Sequence, residues 1–486
     1  MTLEAGKLPA GFGRLWTART VSSLGDGVTH AALPLLALTL TRDPMALAVV
    51  TAAGTLPWLL FGVLGGALVD RWDRRRTMWV TDAARAALLA IPAGAAALDL
   101  LSIPLLAAVA FLLGLGGLFF DTAATAYLPD LLGRDPALLE RANSRLRGAQ
   151  TAASGFAGPP AGSALLALGR AVPLLADAVS FALSALLVRS LPAAPRPVPQ
   201  ARESLLRQAR AGASYVFRDR LLLGLALRPA VGNIAFLAVE TVLALFAHDR
   251  LGNDTFGFGL LLTAEATGGL LGAGIASFLG RRLGTGTGLT CTAAVEGLAI
   301  LGLAAAPNPY VAGLALAVCG AGMGATMVLA PSLRQTIVPA HLMGRVASTS
   351  RMLSMCAAPF GAFLGGWLAT TYDVRTPLYA AAGLLLAMTA VTATMTGNRR
   401  VEAALRAAAP ADAPDLPASQ APAQATALGP GAPRPLAPGH ARGPLRRSAE
   451  GPSWCVTNRC ASGAGARRPA CQERRVTDPG RAPGCG

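Results

Sequence analysis

The chain has 486 residues, 53% of them hydrophobic and only 14% charged, with a mean hydropathy of +0.49. Soluble domains carry about 25% charged residues, so composition excludes a soluble globular enzyme and implies a polytopic membrane protein in a lipid bilayer. The net charge of +16 does not point to nucleic acid, because the arginines cluster in short turns between apolar runs and in the C-terminal tail.

Residues 1–14 lack an apolar core, so no cleavable signal is expected and the first apolar run serves as both signal and anchor. A helix needs about 20 apolar residues to cross a bilayer. On that rule the chain reads as all-α with twelve transmembrane helices, at about 14–40, 45–69, 78–98, 103–126, 146–169, 171–190, 221–247, 256–279, 288–306, 309–333, 347–370 and 376–396. In the first, Asp26 sits midway along SSLGDGVTH, with His30 one turn later on the same face. A carboxyl at the bilayer centre is costly and marks a functional site by default; Asp26 can there bind and release a proton. Residues 62–76, GVLGGALVDRWDRRR, form a short basic turn between the second and third spans. In the third, Asp82 and Arg85 read as a local pair near the membrane surface. The fifth carries Ser154-Gly155-Phe156-Ala157-Gly158-Pro159-Pro160-Ala161-Gly162-Ser163, a kinked face of small residues suited to close helix packing.

Residues 191–220 form a basic connector that divides the spans six and six, giving halves at 1–190 and 221–396, and Arg207–Arg220 reads as a short surface helix. Further carboxylates stand inside spans: Glu240 in the seventh, Glu265 in the eighth, and Asp177 and Glu296 in the sixth and ninth. The two halves match at an offset of 206, where Gly62, Gly66, Gly114, Gly116 and Gly155 fall on Gly268, Gly272, Gly320, Gly322 and Gly361. Arg75-Arg76 falls on Arg281-Arg282, and Ser144-Arg145 on Ser350-Arg351. The halves thus read as parallel repeats. Residues 397–486, rich in Pro, Ala, Gly and Arg, carry 13 Arg against 6 acidic residues and read as disordered: either a cytoplasmic tail or an extension from a frameshift.

One set of turns holds most of the arginines and the opposite set only Arg42, Arg170, Arg250 and Arg375, which places both termini in the cytoplasm. The seven cysteines include no CxxC pair, and the chain has no HExxH, GxSxG or GxxxxGK[ST]. No metal, no cofactor and no enzymatic activity are expected.

The run Gly65-Gly66-Ala67-Leu68-Val69-Asp70-Arg71 with Arg74-Arg75-Arg76 resembles the loop between helices 2 and 3 of the major facilitator superfamily. That resemblance implies two pseudo-symmetric six-helix halves that alternate between faces. It makes Gly66, Asp70, Arg71 and Arg74 a cytoplasmic latch, with Asp121 of the fourth helix as the partner of Arg74. In the second half the equivalent positions are Ala276 and Ser277, implying a weaker latch. The fifth-helix run, with Gly158, Pro159 and Gly162, is similar to the motif of drug/proton antiporters, though Ser154 and Ser163 stand where glycine is favoured. The GDG of the first helix, Phe119-Phe120-Asp121 and Leu128-Pro129-Asp130 are similar to the macrolide-efflux and siderophore-exporter branch. The resemblance implies that helices 1, 4, 7 and 10 line a cavity with 2, 5, 8 and 11 beside them, so that Asp26, His30, Glu240 and Glu265 face it while Asp177 and Glu296 lie on peripheral helices. The expected function is export of small amphipathic molecules coupled to protons, by a monomer in the cell membrane. A lysophospholipid transporter or importer of the same fold, and a non-transporting receptor or scaffold, are the alternatives.

Overall fold

The computed structural model describes residues 9–69, 72–133, 135–192 and 205–408. Among them all regular structure is helical. The first half comprises α1 (Ala10–Leu40), α2 (Pro44–Val69), α3 (Arg74–Ala97), α4 (Ile103–Leu132), α5 (Pro136–Gln150), a π-helical segment (Thr151–Ala157), α6 (Gly158–Leu168) and α7 (Val172–Arg189). A connecting helix, α8 (Leu205–Arg218), leads to α9 (Arg220–Asp249), α10 (Thr255–Leu283), α11 (Thr285–Ala304), α12 (Pro309–Ile337), α13 (Ala340–Thr371), α14 (Thr376–Met395) and a short α15 (Asn398–Ala408). Local chemistry sets several starts. Asp73, Asp219, Asp254 and Asn308 accept from the amides of Arg76, Leu222, Gly257 and Val311, satisfying N–H groups that a helix start leaves unpaired.

Ten of the described helices are long and apolar enough to cross a membrane. The two other expected spans fall on α1, which carries Arg14, Arg19 and Asp26, and on the composite of α5, the π segment and α6. The fifth element therefore begins ten residues earlier than its apolar run, with a polar turn at Pro136–Gln150. α8 falls where the surface helix is expected. Residues 398–408, assigned from composition to the disordered tail, are instead helical. Asn398 fastens them by accepting from the Thr287 amide (2.9 Å) and donating to the Leu283 carbonyl (2.8 Å), and Val401 is buried. The rest of the tail, 409–486, lies outside the described residues.

Short turns place the connections alternately on two faces; the one holding the start of α1 is here the terminal face, the other the far face. Apolar packing differs between them. On the far side one continuous core joins both halves, with Leu36, Leu106 and Leu174 of the first and Phe246, Leu303 and Leu378 of the second. Towards the terminal face there are two separate cores, one built from Leu15, Met78 and Tyr127 and the other from Leu222, Leu289 and Leu333. The halves meet through α2 against α13 and α6 against α10. A Cβ on Gly366 would lie 2.4 Å from Ala48, and one on Gly259 2.7 Å from the Pro159 carbonyl, so both seams require glycine.

Candidate functional site

Between the halves lie two adjoining cavities of about 1420 and 990 Å³, counting their open mouths. Asp26 and Asp121 line the larger, Glu265 the smaller, and His30 and Glu240 line both. His30 of α1 and Glu240 of α9 are brought into direct contact, Nε2 to Oε1 at 2.6 Å, so one polar bond bridges the two halves inside the cavity. Either protonation form of the imidazole can serve that contact, by donating to the carboxylate or accepting from the acid.

Asp26 has a different environment from the one its position suggests. Arg85 of α3 donates to it at 2.6 Å and lies 3.5 Å from Asp82. Arg85 also sits 3.7 Å over the Phe181 ring. Asp82 is fully buried and accepts from Ser184 of α7 at 2.6 Å. Asp82 and Arg85 are thus no surface pair. Three residues apart, they share a helix face, and that face packs against α7 rather than towards headgroups. Asp177, expected on a peripheral helix, also points inward, accepting from Thr29 at 2.5 Å and Ser180 at 3.0 Å and lining the larger cavity. A Cβ on Gly25 would fall 2.1 Å from the Asp177 carboxylate, so the bare backbone of α1 is what admits it.

The second half holds a counterpart that sequence reasoning missed. Arg228 of α9 is buried and donates to Glu296 of α11 at 2.7 Å and to Thr326 of α12 at 3.0 Å. The signal was present: Arg228 is an arginine eight residues inside an apolar span, where arginine is never topological ornament. Its carboxylate, Glu296, likewise faces inward from a helix expected to be peripheral, and both line the smaller cavity.

On the terminal side, Arg74 donates to Asp130 and, at 3.1 Å, to the Ala126 carbonyl. The expected partner, Asp121, is instead held by Arg19 at 2.8 Å. Arg74 opens α3 at the terminal face; Asp130 lies nine residues beyond Asp121, about 13 Å further along α4 towards that face. Gly66 lies in the last turns of α2, and Asp70 and Arg71 lie outside the described residues. In α6, a Cβ on Gly158 would come 2.6 Å from Gly27 and one on Gly162 2.3 Å from the Val28 carbonyl, so both seat α1. Pro159 instead faces Gly259 of the other half. No group of three or more His, Cys, Asp or Glu that could hold a metal occurs among the described residues.

The family described as transmembrane secretion effector, within the major facilitator superfamily, matches residues 9–424. A multidrug efflux pump Tap from Mycolicibacterium fortuitum is 29% identical over 364 residues, covering 72% of this chain and 87% of its own. The Mycobacterium tuberculosis pump of the same name is 29% identical, covering 76% and 86%. Among solved structures, a bacterial homologue of the iron transporter ferroportin in an inward-facing state superposes with TM-score 0.65 at 17% identity, covering 80% of this chain and 98% of that one. The nucleoside transporter NupG superposes with TM-score 0.64 at 16% identity, covering 80% and 100%.

Proposed function

The chain belongs to the transmembrane secretion effector family of the major facilitator superfamily, a family of membrane transporters rather than enzymes, and on that premise we propose that it is a proton-coupled exporter of small amphipathic molecules. The observation that carries this reading is the His30–Glu240 contact: a titratable pair joining the halves inside the cavity both halves line. The likeness to efflux pumps supports the outward direction.

The terminal face is cytoplasmic in this reading. Its turns carry the arginine excess, whereas three of the four far-face arginines are neutralised in pairs: Arg42 with Asp249, Arg170 with Asp99, and Arg250 with Asp373. Both termini are then cytoplasmic and the protein sits, as a monomer, in the cell membrane. With one core sealing the far side and two separate cores on the terminal side, the molecule stands inward-open. Switching requires the halves to part along α2–α13 and α6–α10 on the far side and to close on the terminal side. The latch at the α2–α3 turn acts on that closing; its Arg74–Asp130 contact lies within the first half and is already made in this inward-open state. Protons reaching His30, Glu240 and Glu265 from outside release substrate and favour return to the inward-open state; their loss to the cytoplasm permits reloading. Asp26, held by Arg85, joins this exchange through the larger cavity.

Accumulation of lipophilic dyes, macrolides and a siderophore in pump-deficient cells expressing the full chain tests the proposal. Reduced accumulation that a protonophore restores is expected. Unchanged accumulation across the panel, with lysophospholipid uptake instead, overturns it in favour of a lipid transporter.

A further inference from the structure

Every carboxylate lining the two cavities but one has a partner. Asp26 has Arg85, Asp121 has Arg19, Asp177 has Thr29 and Ser180, Glu240 has His30, and Glu296 has Arg228. Glu265 of α10 makes no hydrogen bond or ion pair with the described residues, although it stands in the middle of an 18-residue or longer span. A carboxylate left without a bonded partner at membrane depth is costly; of its two charged neighbours, Glu240 repels it and His30 is already bonded to Glu240. Its surroundings are shaped for a ligand rather than for a structural partner. The smaller cavity is walled by Phe236, Leu262, Met323, Met327 and Met355. Unbranched thioethers repack around apolar bodies of varied shape, and an aromatic face attracts a cation. The one arginine in this lobe, Arg228, has its charge matched by Glu296, and the lobe's histidine, His30, is bonded to Glu240, so each positive group already has an acidic partner.

We propose that Glu265 is the counter-charge for a lipophilic monocation bound in this lobe, so that the transporter selects amphipathic amines and onium ions over neutral or anionic compounds of similar size. This rests on the exporter reading for its physiological sense, but the binding claim stands or falls separately. A neutral or anionic ligand filling the lobe strips water from Glu265 without compensating it; a monocation removes that cost.

Binding to the purified full-length protein in detergent is the test, with methyltriphenylphosphonium as cation and triphenylphosphine oxide as neutral analogue. Wild-type protein should prefer the cation. E265Q should weaken cation binding about ten-fold or more, the loss of one desolvated charge contact, and leave the neutral analogue within about two-fold; E265D should retain most of the preference. Equal affinity of the wild type for both compounds, or an equal loss of both in E265Q, overturns the proposal. A measurement on unmodified protein guards against misfolding of the variant: methyltriphenylphosphonium should protect Glu265 from carbodiimide modification, read by mass spectrometry, and absence of protection also overturns it. Cation binding without gradient-driven export in cells would leave Glu265 as the cation site and remove the exporter reading instead.

Discussion

The two halves solve one problem with opposite signs. In the first, an acid on the first helix (Asp26 of α1) holds a base on the third (Arg85 of α3); in the second, a base on the first helix (Arg228 of α9) holds an acid on the third (Glu296 of α11). Glycines 206 residues apart make room for both third-helix side chains. A Cβ on Gly116 would meet Arg85 at 2.8 Å, and one on Gly322 would meet Glu296 at 2.6 Å. The repeat therefore preserves a neutral buried pair and the space beside it, not the order of charges, because the bilayer penalises net charge irrespective of sign. The pairs differ in sealing. Arg228 and Glu296 are 4% and 5% exposed, whereas Arg85 is 9% and Asp26 45% exposed. The first half also gathers Asp82 and Asp177 near Arg85, while the second adds the hydroxyls of Thr326 and Thr292 beside Arg228 and Glu296. The second-half pair is a closed pin; the first-half pair opens into the cavity.

Breaking the closed pin should have the largest effect. Arg228→Leu leaves Glu296 buried and unpaired and should cost about 3–5 kcal/mol, seen as loss of monodisperse protein in fluorescence-detected gel filtration. The exchange R228E with E296R should recover most of that loss; no recovery would show that the sign order matters after all. The open pair should yield less. Asp26→Asn keeps a hydrogen-bond acceptor, and Arg85 retains Asp82, so the thermal midpoint should fall by the equivalent of about 1–3 kcal/mol, with protein still recovered. Gradient-driven export by this variant should be uncoupled from pH, and full coupling would remove Asp26 from the exchange. Smaller still in stability is the bridge between the halves: Glu240→Gln should change the midpoint by less than about 1 kcal/mol while abolishing protonophore-sensitive export. A wild-type export rate in that variant would leave the bridge with no role in coupling.

The smallest effect belongs to the far-face clasp of Asp373 with Arg250. Burial pushes the Asp373 carboxyl up, but the Arg375 amide and the Arg250 guanidinium pull it further down, and the net shift is below the usual carboxylate value. Its stabilisation is thus present above the ordinary aspartate range and lost as pH falls through the depressed folded value. Asp373→Asn should cost less than about 1 kcal/mol at neutral pH, as befits a largely exposed pair, and nothing at the acid end. A cost that persists in acid would mean that the clasp does not act through charge.

Properties that reside in one stretch of chain were legible beforehand. The apolar runs and the polar residues that start α3, α9, α10 and α12 depend on local composition. So do the glycines: a Cβ on Gly114 would lie 2.2 Å from the Gly54 carbonyl and one on Gly320 2.0 Å from that of Glu265. Helix rotation about its own axis was not legible. It decided that Asp177 and Glu296 turn inward and that Arg85 reaches Asp26, while depth along α4 decided that Arg74 meets Asp130 rather than Asp121. Each of these pairs joins different helices, and an apolar run without strong amphipathicity leaves its inward face unmarked.

The π segment at Thr151–Ala157 bears on that rotation. Pro159 and Pro160 have no amide hydrogen to give, and the Gly158 amide reaches back to the Ala153 carbonyl five residues away. The extra residue in that turn acts as a phase setter: one residue of α-helix is about 100° of rotation. It decides whether Gly158 and Gly162 look at α1 or at lipid. Removing a single residue, such as Ala152, should restore a regular helix and turn that pair of glycines away from Gly27 and Val28. The fifth span would be straighter and better hydrogen-bonded, yet out of phase with its neighbour, and for this protein a flaw in the helix is what keeps the two in step.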